Sequence, residues 1–135
     1  MAVIYVARSA NLGKWASDVG LGKHVYKVGV AEEPVKPVIE AGWAGETDWT
    51  LVKKQEAGDI SEEAVLERLS AKVKPVDPFY YPRLKGAVGI FRVPQANVEN
   101  HLLVARAMAG AEELLPPKVK PADFAAYLIK SALPG

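Results

Sequence analysis

The chain has 135 residues, 17 Lys and Arg against 16 Asp and Glu, a formal charge of +1 and no cysteine. That length suits one domain with a single core, and an apolar half excludes a disordered composition. Lack of cysteine excludes disulfides and thiolate metal sites. Even charge excludes a global pull toward nucleic acid, so any such binding needs a local basic patch. No run approaches the roughly 20 apolar residues that span a bilayer, and the start lacks a basic segment and a long apolar run. A cytoplasmic protein without a membrane partner is expected.

Residues 2–7 and 24–30, rich in Val, Ile and Tyr, are predicted strands. Ser9 to Lys23 joins them as a connection holding three glycines and a tryptophan, long for a hairpin and therefore a candidate functional loop. Glu32-Glu33-Pro34 has the acidic turn and early proline of a helix start, but Pro37 makes that helix short or moves its start to Pro37. Gly42 or Gly45 ends it. Asp48 to Lys54 alternates as a third strand. Asp59 or Ser61 can cap the clearest helix, 61–73, whose Leu66, Leu69 and Val73 form an apolar stripe widened by Val65. Pro75 and Pro78 end it, and the Pro-framed Phe79-Tyr80-Tyr81 is irregular or extended. Val88 to Val93 is a fourth strand. Asn97 can cap a helix to about Gly110, Pro116-Pro117 breaks the chain, and a last amphipathic helix from about Pro121 presents Phe124, Tyr127, Leu128 and Ser131 on one face.

The predicted order β–β–α–β–α–β–α–α gives an α/β (α+β) domain: a small, mainly antiparallel sheet flanked by helices, with a C-terminal helical extension. The core is expected over 1–94, and 95–135 either packs on it or serves self-association.

Val3-Ile4-Tyr5, then Val25-Tyr26-Lys27-Val28-Gly29 with Pro34 soon after, resembles the paired strand motifs of GIY-YIG nucleases, most of all the phage-associated branch. Trp49-Thr50-Leu51-Val52, the helix opening Glu62-Glu63-Ala64-Val65, and Ile90-Phe91-Arg92-Val93 resemble that branch's later elements, so the resemblance covers residues 2–94. No single piece is specific; their order and spacing carry it. The resemblance implies a nucleic-acid endonuclease working with Mg²⁺ or Mn²⁺. A glutamate would hold the metal, an arginine would stabilise phosphate charge, and tyrosines would position or deprotonate water.

Carried onto this chain, Glu62 takes the metal role. Its place at i−4, i−7 and i−11 from Leu66, Leu69 and Val73 points it toward the sheet, with Glu63 and Glu67 on the polar face. Read without the resemblance, Glu62 is a capping-box carboxylate. Tyr5 and Tyr26 become catalytic candidates, against an ordinary reading as core aromatics, and Gly29 permits close backbone approach. The family's arginine falls at Lys36-Pro37, where lysine offers only a point charge. That departure implies a degenerate descendant that binds DNA or RNA with little or no cleavage.

Arg8, Lys14, Lys23, Lys27, Lys53 and Lys54, with Trp15, can form a basic patch with stacking capacity. Of these, Lys14, Lys23, Lys27 and Lys53, with Gly29, are the expected nucleic-acid contacts. His24 and His101 have no partner at zinc-ligand spacing, and no phosphate loop follows the glycines. The alternative function is a non-catalytic interaction module whose C-terminal helices make a homo-oligomer.

Overall fold

Val3 to Ala7 is an unbroken apolar run, and every residue in it is buried. Only a strand covered on both faces reads that way. In the computed structural model, which describes residues 2–22, 24–110 and 119–133, this run is the middle of β1 (Ala2–Ser9). It pairs antiparallel with β2 (Val25–Glu32) on one side and β3 (Trp49–Glu56) on the other. Beyond β2 come β5 (Ile90–Arg92) and the two-residue β4 (Lys74–Pro75), so the order is β3-β1-β2-β5-β4 and every pairing is antiparallel. The expected antiparallel sheet flanked by helices is present. Lys23 and the Pro116-Pro117 break lie outside the described residues.

The connection between the first two strands is not a loop. It forms α1 (Ala10–Asp18). Ser9 caps it by accepting from the Leu12 amide at 3.1 Å, and Leu12 and Ala16 bury one face at i, i+4. Gly20, at φ 85°, ends it with Leu21 N–H returning to Ala16 C=O at 2.8 Å, a glycine-terminated helix end. Three glycines make the segment look irregular, yet only Gly13 lies inside the helix.

Helix α2 (Lys36–Ala41) holds Pro37 in its first turn and stops at Gly42, φ 74°. Helix α3 (Glu62–Ser70) is capped by Ser61, which accepts from the Ala64 amide at 3.2 Å. Its buried stripe is Val65, Leu69 and Val73, while Leu66 is only half-buried. Val65 thus takes the place expected of Leu66, while Leu69 and Val73 keep theirs; the helix itself ends at Ser70, short of the expected 73. A 3₁₀ turn, Pro82–Leu84, precedes β5. Helix α4 (Gln95–Met108) begins behind Pro94 rather than at Asn97, since the proline supplies an extended residue that cannot continue backward as helix. Helix α5 (Pro121–Ala132) presents Phe124, Leu128 and Ser131 inward as expected, with Tyr127 half-buried.

The sheet separates two apolar layers. On one face Ile4, Val6, Tyr26 and Val28 meet Val65 and Leu69 of α3 and Phe124, Leu128 and Ile129 of α5. On the other, Val3, Tyr5 and Ala7 meet Leu12 and Ala16 of α1 and Val35 and Ile39 around α2. Among the described residues no helix is long and apolar enough to cross a membrane.

Candidate functional site

Register decides which side chains can meet. Tyr5 stands directly opposite Gly29 across the β1–β2 pair, and Ala7 opposite Lys27. Opposed residues share a face and successive residues alternate. Tyr5, Lys27 and Gly29 therefore lie on the α1–α2 side, whereas Tyr26 and Val28 lie on the α5 side.

The Tyr5 ring crosses over Gly29. A Cβ there would come within 2.4 Å of the Tyr5 hydroxyl and 2.6 Å of Glu62 Oε1. The two oxygens are thus no farther apart than those two distances together, and glycine is what admits them both. Glu62 reaches this point from the first turn of α3. Strand β5 pairs with β2 only as far as Lys27, and Val28 N–H finds Gly89 C=O at 2.8 Å. Val30 lies past that end, and its N–H donates to Glu62 Oε1 at 3.0 Å. Glu62 therefore satisfies a backbone amide, as a capping carboxylate would, but the amide belongs to β2 and not to its own helix. Both Glu62 and Glu63 are exposed by area, so burial does not separate them. The hydrogen bond to the sheet does.

Behind Tyr5 sits an ammonium group. Lys27 is only 4% exposed, and its Nζ donates to Val28 C=O at 3.1 Å. It lies 5.2 Å from the centre of the Trp43 ring and 5.9 Å from that of Tyr5, within cation–π range of both. Burial pulls the Lys27 pKa below the usual lysine value, partly offset by the Glu62 charge. Burial, with Glu62 adding to it, pushes the Tyr5 hydroxyl up to about 12. Trp43 stacks on Tyr5 at 5.8 Å, and Trp49 fixes it by donating from its indole N–H to Trp43 C=O at 3.0 Å. The result is a neutral phenol, a carboxylate and a shielded cation meeting where one Cβ is missing.

The other expected site residues lie elsewhere. Tyr26 does not join Tyr5: it is buried on the opposite face beside Phe124, which stacks on His24 at 4.0 Å, and its hydroxyl lies 3.5 Å from His24 Nδ1. Lys36 is exposed and faces Glu40 of its own helix at 3.9 Å. Lys54 pairs with Glu33 at 2.7 Å. Lys53 is opposite Val6 and so on the other face from Tyr5, and Lys14 is exposed on α1. Strand alternation thus splits the expected basic patch between two faces, and Lys27 is buried rather than presented to solvent. Reading Lys27 as a surface cation missed its part in this site, although its spacing of two from Gly29 already put both on one face. Nothing in the sequence marked Trp43.

Among the described residues no group of three or more His, Asp or Glu is placed to hold a metal ion. No family model, curated protein or solved structure matches the chain.

Proposed function

We propose that this chain is a GIY-YIG-type domain that binds nucleic acid where the exposed Glu62 meets Tyr5 over Gly29, with Lys27 buried behind them and phosphodiester cleavage weak at most. The observation that carries the reading is the meeting of the Tyr5 hydroxyl and the Glu62 carboxylate over Gly29. Those three residues come from the two strand motifs and the helix opening that bear the resemblance. A hydrated Mg²⁺ or Mn²⁺ ion needs few protein ligands, because water and substrate phosphates complete its shell. Glu62 suits that minimal role and would be the residue to hold it. When bound, such an ion polarises the phosphodiester.

The protein's own groups favour binding over cleavage. With a pKa near 12, the Tyr5 hydroxyl keeps its proton at neutral pH. It can donate to a phosphate oxygen but is a poor base for water. Lys27 adds positive field at short range, yet its ammonium is engaged with Val28 C=O and shielded. Lys36, the expected stand-in for arginine, is exposed on α2 with Glu40 3.9 Å away and lies outside the Tyr5–Glu62 junction. Losing one preorganised donor at the developing charge costs about 10²–10³ in rate.

The test measures binding of short DNA and RNA at low salt, and plasmid nicking and RNA cleavage with Mg²⁺ or Mn²⁺, in the native chain and in Glu62→Ala. Weak metal-dependent nicking or none is expected, with binding that responds to Tyr5→Phe and Lys27→Met. Robust turnover abolished by Glu62→Ala would overturn the degenerate reading, and absence of any binding would overturn the nucleic-acid reading itself.

A second reading rests on α4. Of its fourteen residues only Val98 is buried, and Val104 and Met108 are exposed by 57% and 84%. That apolar exposure favours self-association through the C-terminal helices. Light scattering over a concentration series distinguishes a dimer from a monomer.

A further inference from the structure

Tyr26, left over by the Tyr5–Glu62 junction, lines a separate cleft of about 610 Å³ where the end of β1 meets α1, a volume within the range of small-molecule sites. Its cations come from two elements: Arg8 from the end of β1 and Lys14 from α1. Among the described residues that line it there is no carboxylate. For a chain whose charges otherwise nearly cancel, that local excess selects for anions.

Arg8 stands close to the Tyr26 hydroxyl, and its positive charge works against the rise that burial gives the Tyr26 pKa. Gly13, buried in the first turns of α1, brings helix backbone to the cleft wall without a side chain, and Ser17 adds a hydroxyl one turn further on. Asp48, bonded to Ser9 and to the Asn11 amide, already neutralises the start of α1. Anion preference therefore rests on Arg8 and Lys14, not on the helix end. Val25, Val119 and Pro121 add apolar wall, and His24 and Tyr26 add aromatic rings. A ligand suited to this lining has a phosphate at one end and a flat, weakly polar body at the other.

We infer that this cleft binds a nucleoside phosphate, with the phosphate between Arg8 and Lys14 and the nucleoside against the Val119–Pro121 wall. The same chemistry arises in a free mononucleotide and at the phosphorylated end of a strand. The inference does not rest on the Tyr5–Glu62 reading, since the two sites share no residue.

The experiment is an NMR titration of the full chain with a nucleoside monophosphate, the matching nucleoside, and short oligonucleotides with and without a 5′-phosphate. Saturable shifts at Arg8, Gly13, Lys14 and Val25 are expected with the monophosphate and not with the nucleoside. Arg8→Gln with Lys14→Gln should weaken the binding by about tenfold or more, because two charge-assisted contacts are lost. Both residues are exposed, so the variant should fold, and its unchanged spectrum elsewhere verifies that. Tighter binding of the 5′-phosphorylated oligonucleotide than of the mononucleotide identifies a strand end as the source, and equal binding identifies the free nucleotide. Shifts scattered over surface lysines, or an affinity indifferent to the double substitution, would overturn the inference.

Discussion

At Gly29 a single absent methyl group decides whether the site exists. Gly29→Ala places a carbon within 2.4 Å of the Tyr5 hydroxyl and 2.6 Å of Glu62 Oε1, so both side chains must retreat. Overpacking of this kind costs about 1–3 kcal/mol, and chemical denaturation should register it. Tyr5→Phe removes the nearer of Tyr5's contacts, so the double variant should lose less than the two single losses together. A fully additive pair would mean the two residues do not compete for that space. Lys27 makes the opposite trade. Its charge is held in a shielded place and its pKa is lowered by burial, so it detracts from stability at neutral pH. As pH rises from its folded value toward 10.5, the unfolded chain holds more protons and this deficit closes. Lys27→Met should therefore melt no lower than the native chain while binding nucleic acid less well; a lower melting temperature would show that the ammonium is a net support. For Tyr5 and Tyr26, both raised to about 12 chiefly by burial, the sign reverses. Between about 10 and about 12 the folded chain keeps protons the unfolded chain has released, so their contribution falls with rising pH. Ultraviolet titration of tyrosinate should show two of the five tyrosines ionising late, and Tyr5→Phe should remove one of them.

Among the elements, α1 is held to the sheet by polar contacts as much as by Leu12 and Ala16. Asp48, just ahead of β3, accepts from the Ser9 hydroxyl and from the Asn11 amide at 3.0 Å, while Ser9 itself caps the helix. Burial works to raise the Asp48 pKa, but these hydrogen bonds outweigh it and hold the carboxyl below its usual value of 3.8. The sign follows from linkage: a depressed folded pKa gives stability above the unfolded value that is lost as pH falls through the folded one. Asp48→Ala should cost about 1–2 kcal/mol at neutral pH, the scale of a lost cap and its partners. Hydrogen exchange should show α1 amides opening before those of β1. Equal protection in native and variant chains would mean the apolar face alone holds α1.

For the molecule as a whole, α5 is part of the core. Phe124 and Leu128 are fully buried against the same layer as Ile4, Val6 and Val28. A phenylalanine truncated at such a place costs about 3–5 kcal/mol, a large part of the 5–15 kcal/mol that holds a typical domain folded. Phe124→Ala should therefore lower the melting temperature sharply, and a chain ended at Lys120 should fail to melt cooperatively. A cooperative transition in the truncated chain would show that residues 2–94 fold by themselves.

Strands β1, β2, β3 and β5 and helices α3 and α5 were legible in the sequence because their signals are local: β-branched runs, a serine cap, prolines and periodic apolar residues. The antiparallel sheet and its flanking helices follow from those. The two-residue β4, at the proline expected only to end a helix, was not legible. Helix α1 was not legible, since its glycines argue for a loop and only burial of Leu12 and Ala16 against β1 overrides them. Part of the site was legible too. Alternation alone sets Lys27 and Gly29 on one face and Tyr26 on the other, whatever the register. That Tyr5 faces Gly29, that β5 stops short of Val30, and that Glu62 fills the vacated hydrogen bond depend on how strands from distant parts of the chain align. The stacking of Trp43 on Tyr5 is of the same kind. Pairing register and the end of a neighbouring strand are set by the packing of the whole core, and no window of sequence contains them.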